Sequence, residues 1–186
     1  MVEIVVALAI IAMLMALAAP SSAIWIQNTR LRSAAESVST GLQMARVEAL
    51  KRNTLVSFQM TDASSTAWTV CLYDALADAC SAAAGAVLAS RSASEDASTT
   101  TLGTDTVLSD TSIAIPGGTN VPAATTFDSF GRLATTAPNN AMRVDVRNGM
   151  LSFADERRMV ILINLGGQVR MCDPKLTKAT NPQGCA

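Results

Sequence analysis

Four cysteines and no histidine set the chemistry open to this chain of 186 residues. Cys71 and Cys80 lie close together, as do Cys172 and Cys185, and neither spacing is that of a Cys-x-x-Cys zinc or redox site. If the apolar N-terminus is a membrane anchor and the rest an exported head, disulfides are the default. Four cysteines allow three pairings; the local ones, Cys71–Cys80 and Cys172–Cys185, are expected. The second would staple the Lys/Pro-containing tail to the last strand, and closing a loop of about a dozen residues contributes about 3 kcal/mol in the chain-entropy model. The absence of histidine removes the usual triads, the commonest metal ligand and the commonest general base. There is no nucleotide-binding loop and no metal-ligand cluster, and isolated pairs such as Asp128-Ser129 read as loop composition. No enzyme activity, cofactor or metal is expected.

The other residue with unusual chemistry is Glu3. No charge follows it from Ile4 to Thr29. A carboxylate at the edge of an apolar helix is costly unless it is paired or at an interface. The plain reading is an acid favoured by the helix N-terminal dipole and wetted by headgroups.

Net charge is −1, which gives no global attraction to nucleic acid or acidic lipid. The distribution is uneven. From Thr61 to Phe130, Asp62, Asp74, Asp78, Glu95, Asp96, Asp105, Asp110 and Asp128 face Arg91 alone. After Gly131, Arg132, Arg143, Arg147, Arg157, Arg158, Arg170, Lys175 and Lys178 face Asp145, Asp155, Glu156 and Asp173. The mildly basic C-terminal part reads first as a solvated strand face and second as a patch for an acidic partner or DNA.

The mean hydropathy of +0.31 is concentrated at the N-terminus. Roughly 20 apolar residues at about 1.5 Å each span a hydrocarbon core of about 30 Å, so residues 1–26 are expected to form a transmembrane half-helix. A cleavable signal peptide would need a basic start and a small-residue cleavage site. Ala16, Ala18 and Ala19 imitate the site, but the start, Met-Val-Glu, is acidic. Leu31, Ala35, Val38, Leu42, Ala45 and Ala49 then make one apolar stripe, with Arg32/Glu36 and Glu48/Arg52 as i,i+4 pairs on the other face. Residues 27–52 are thus the amphipathic half of the same helix, which runs from near Met1 to about Arg52, and Pro20 should kink it.

Residues 53–186 read as a β-rich head. Thr54–Met60 and Trp68–Tyr73 alternate as half-buried antiparallel strands. In the Ala/Ser/Thr/Asp-rich stretch from Ala75 to Thr111 only Val87–Ala89 reads as a strand. Ile113–Ile115 is a further short strand, closed by Pro116-Gly117-Gly118. Met142–Arg147 and Met150–Phe153 flank Asn148-Gly149, a two-residue hairpin signal. Arg158–Asn164 and Gln168–Cys172 follow, separated by Gly166-Gly167. The fold class is α+β: a long N-terminal helix, transmembrane then amphipathic, packed on an antiparallel β-rich head.

The stretch Met1-Val2-Glu3-Ile4-Val5-Val6-Ala7-Leu8 resembles the N-terminal motif of type IV pilins and type II secretion pseudopilins. Glu3 matches the family's glutamate and Pro20 its helix-breaking proline. The resemblance implies that Glu3 pairs with the N-terminal amine of a neighbouring subunit during filament assembly, so that another chain supplies the cation. The basic leader, the glycine before the cleavage point and the aromatic first residue are missing, which is expected of a trimmed start. Phe127-Asp128-Ser129-Phe130-Gly131-Arg132, Arg158–Ile163 and Gly166-Gly167-Gln168-Val169-Arg170-Met171-Cys172 resemble the FimT/FimU-type minor pilins and GspH-type pseudopilins. That branch implies a minor pilin at a tip or priming complex. Its partners are other minor and major pilins through the N-terminal helix, a large tip adhesin, and the inner membrane before assembly, with the head in the periplasm. FimT-type chains bind DNA through Gly-Arg-x-Arg. Here the motif reads Gly167-Gln168-Val169-Arg170, one cation short. Arg170, Lys175 and Lys178 are the candidate DNA contacts, and an exposed strand residue is the preferred reading of Arg170. A pseudopilin of a type II secretion system is the third reading.

Overall fold

The computed structural model describes residues 2–61, 65–92, 100–105, 124–135, 140 and 142–185, without the side chains of residues 16–21, 101, 104 and 105. Among the described residues one helix, α1 (Val2–Arg52), is followed by nine strands: β1 (Val56–Met60), β2 (Trp68–Asp74), β3 (Ala79–Cys80), β4 (Val87–Arg91), β5 (Thr100–Asp105), β6 (Ala124–Phe127), β7 (Arg143–Asn148), β8 (Met159–Ile163) and β9 (Val169–Cys172). They form two antiparallel sheets. One runs β3-β2-β1-β6 with β4 also on β2, and the other runs β5-β7-β8-β9.

The C-terminal half of α1 is the common floor of both sheets. It contacts β1, β2 and β6 of the first and β7, β8 and β9 of the second. The expected apolar stripe is the one it buries: Leu31, Ala35, Val38, Leu42, Ala45 and Ala49 are inaccessible to solvent. The stripe is rich in alanine, and Gly41 lies beside it. A Cβ at Gly41 would stand 2.6 Å from Phe58 Cε2 and 3.0 Å from Trp68 Cε2, so the helix rests directly on these rings. The rings meet each other at 5.7 Å, and the Trp68 indole N–H donates to Ser37 Oγ at 3.0 Å. The helix stops where Asn53 turns left-handed (φ 52°), a conformation asparagine tolerates, and the Thr54 N–H returns to the Ala49 carbonyl.

The strands expected at Thr54–Met60, Trp68–Tyr73, Val87–Ala89, Arg158–Asn164 and Gln168–Cys172 are present as β1, β2, β4, β8 and β9. β1 is more buried than alternation suggests. Even Ser57 is inaccessible, its hydroxyl accepting from Thr126 Oγ1. Three strands escaped the sequence reading. β3 has only two residues. β5 is Thr-Thr-Leu-Gly-Thr-Asp, with one apolar side chain, Leu102, to place in the core. β6 is the short Ala-Thr-Thr-Phe against β1. The Ile113–Ile115 strand and its turn lie outside the described residues.

The Asn148-Gly149 hairpin is corrected. β7 pairs with β5 and β8, and Met150–Phe153 is not a strand. Asn148 instead caps a longer loop. Its side-chain oxygen accepts the Met150 N–H, and its own N–H donates to the Glu156 carboxylate. That buried acid draws the chain inward eight residues later, which a two-residue turn could not do.

Candidate functional site

The N-terminal half of α1 stands clear of the head. From Val2 to Met15 every side chain is exposed, among them Ile4, Leu8, Ile11 and Leu14. Glu3 lies in the first turn, where the helix dipole favours an acid. The helix runs without interruption through Pro20, whose side chain lies outside the described residues. Among the described residues no helix is long and apolar enough to cross a membrane.

The junction between the free half and the packed half is a set of side-chain amides. The Asn28 amide N–H donates to the Asp155 carbonyl at 3.0 Å, and its oxygen accepts the Arg157 N–H at 2.8 Å. The Asn148 amide donates to Gln27 Oε1 at 2.9 Å. The loop 149–158 is thereby clamped to the helix, and tightened by Ser152, whose hydroxyl donates to the Asp155 carboxylate. The sequence reading missed Gln27 and Asn28. Their signal was two amides closing an uncharged run just before Arg30.

Both disulfides are the local ones, Cys71–Cys80 and Cys172–Cys185. Cys80 belongs to β3, paired to the end of β2, so the first bridge ties a turn to its own strand. The second folds the tail back beside β9, where the Asp173 N–H donates to the Gln183 carbonyl.

The tail also places the three candidate DNA cations. The Arg170 guanidinium donates to the Gly184 carbonyl. The Lys175 ammonium donates to the Phe153 and Ala154 carbonyls at 2.9 and 3.0 Å and lies 5.6 Å from the Phe153 ring centre. Lys178 is exposed on the tail. Two of the three thus hold the tail to the head, Lys175 by crossing to the junction loop.

On the sheet face opposite the helix lies a buried charge cluster. Asp145 accepts two bonds from Arg143 at 2.7 and 3.0 Å, and Arg158 approaches it at 3.3 Å, all three almost inaccessible. Glu156 lies nearby, at a cavity of about 130 Å³ lined with Phe153, Arg158, Pro174 and Lys175. One carboxylate oxygen accepts the Asn148 N–H, while Oε2 has no hydrogen bond. Burial pushes the Glu156 carboxyl up, against the Asn148 N–H and the charges of Arg147, Arg158 and Lys175. Burial also lowers Arg158, against the pull of Asp145. Among the described residues no group of acids and cysteines is arranged to hold a metal ion.

No curated protein matches the sequence. Among solved structures, the type IV minor pilin FimU of Pseudomonas aeruginosa is similar in fold, with 18% identity and a TM-score of 0.52 over 87% of this chain and 99% of that one. A second crystal form of FimU aligns at 19% identity and a TM-score of 0.48 over 83% and 99%. The long helix with antiparallel sheets is the fold of that first FimU structure. The family model for the type II transport protein GspH matches residues 34–167, from the packed half of α1 to the turn after β8, and the chain belongs to that family of minor pilins and pseudopilins.

Proposed function

We propose that this chain is a minor pilin of a type IV pilus, polymerising through the N-terminal half of α1 and taking part in a tip or priming complex. The observation that carries the proposal is the division of the helix. One half is spent on the head, and the other, from Ile4 to Met15, presents only exposed apolar side chains behind a single acid. Such a surface needs either lipid or other helices around it. Inner-membrane insertion before assembly, with the head in the periplasm, supplies the first. Packing against neighbouring pilins supplies the second, with Glu3 meeting the N-terminal amine of a neighbour and Pro20 adapting the helix to the filament.

Deletion of the gene is expected to abolish nearly all surface pili recovered by shearing. Normal pili together with lost protein secretion would instead identify a type II secretion pseudopilin. The DNA-receptor alternative asks Arg170 and Lys175 to bind phosphate while both donate to backbone carbonyls. Salt-sensitive DNA binding by the protein, weakened by Lys178→Ala, is what that alternative requires.

A further inference from the structure

The end of the head facing the free half of α1 is formed by the loop 149–158 and the tail 173–185. β7 runs toward that end and meets the helix at Gln27; β8 leaves it and β9 returns, so the chain after Cys172 lies there too. The opposite end carries the turn between β8 and β9. There Gly167 packs on the Gly131 backbone, and Gly131 accepts from Arg46, near the far end of the helix.

The end at Gln27 exposes large apolar side chains: Met150 is 75% exposed and Phe153 63%, and on the adjoining helix Trp25 is 70% exposed. Cations share this end. Arg30, Arg157 and Lys178 are exposed, against exposed Asp155 and half-buried Asp173, while the Lys175 ammonium is held by the Phe153 and Ala154 carbonyls. The uncharged run of α1 ends at Thr29, within two residues of the amides that clamp the loop.

We infer that before assembly this end of the head docks on an anionic phospholipid bilayer. Met150 and Phe153 enter the boundary between headgroups and acyl chains, and the cations face lipid phosphates. Apolar side chains backed by cations are the chemistry of an interfacial contact, and a tryptophan at the helix exit suits the same depth. The helix fixes the depth: with residues 1–26 in the hydrocarbon, the clamp at Gln27 and Asn28 holds the loop at the surface. Docking would set the orientation in which the head meets its first neighbour. The inference rests on the membrane-inserted reading of residues 1–26.

The test uses the full chain in vesicles of phosphatidylcholine, with or without phosphatidylglycerol, containing lipids brominated near the headgroup end of their chains. Trp25 of the unaltered protein reports insertion of the helix. Phe153→Trp in a Trp25→Phe background reports docking, with Trp25→Phe alone correcting for the buried Trp68. Docking predicts that both Trp25 and Phe153→Trp are quenched. It also predicts that Arg157→Glu with Lys178→Glu lowers the docked population in phosphatidylglycerol vesicles by about fivefold or more. Quenching of Trp25 without quenching of Phe153→Trp overturns the docking and leaves the inserted helix standing. Absence of quenching at Trp25 overturns the membrane reading and the docking with it.

Discussion

Asn28 holds the head to the helix with both ends of its side-chain amide, donating to the Asp155 carbonyl at 3.0 Å and accepting the Arg157 N–H at 2.8 Å. The two contacts bracket Glu156, so a single helix residue fixes the loop that carries the buried acid. One residue earlier on the helix, Gln27 Oε1 accepts the Asn148 amide at 2.9 Å, so the contact extends to the end of β7.

Asn28→Ala is expected to release the loop while leaving both sheets intact. The loss of two hydrogen bonds should cost about 1–3 kcal/mol. Amide hydrogen exchange of residues 149–158 should accelerate, with β1 and β2 unchanged. Unchanged protection of the loop would show that Lys175 and Asn148 hold it without Asn28.

Gly41→Ala tests how closely the helix rests on the rings. Alanine gains about 1 kcal/mol in helix propensity. Its methyl group, however, would enter space where Phe58 Cε2 stands 2.6 Å away. Overpacking of this kind costs about 1–3 kcal/mol. Net destabilisation and an altered Trp68 fluorescence spectrum are expected, with partial rescue by Phe58→Leu. A more stable Gly41→Ala protein would mean that the rings move freely.

The helix and most strands were legible because each has a single strong period. Leu31 through Ala49 repeat at three and four, and Val56, Phe58 and Met60 at two. β5 and β6 were not legible, since threonine-rich strands with one or two core residues look like loops until a partner strand satisfies their backbone. The hairpin failed for a longer-range reason: besides the local Met150 N–H, Asn148 is committed to Gln27 and Glu156, and both lie far outside a two-residue turn. The local disulfides followed from sequence proximity. The working contacts of Arg170 and Lys175 did not, because a cation donating to carbonyls reads in sequence like any exposed cation.

Glu156 gives a pH dependence of definite sign. Burial raises its carboxyl above the ordinary value of 4.5, so the folded state holds the proton more tightly than the unfolded chain. Its contribution is therefore fully present below the unfolded carboxylate value and is lost as pH rises through the raised folded value. Urea denaturation across this interval should show stability declining as pH rises, and the decline should flatten in Glu156→Gln. An unchanged slope in the variant would assign the effect to another group.

The central claim, polymerisation through the free half of α1, is tested most directly by the amount of this subunit recovered in sheared filaments for wild type and Glu3→Ala. Equal cellular levels and intact disulfides in both proteins establish that the head is folded. The account predicts that wild type is present in the filament fraction and that Glu3→Ala is strongly depleted. Equal incorporation of the two proteins would contradict it.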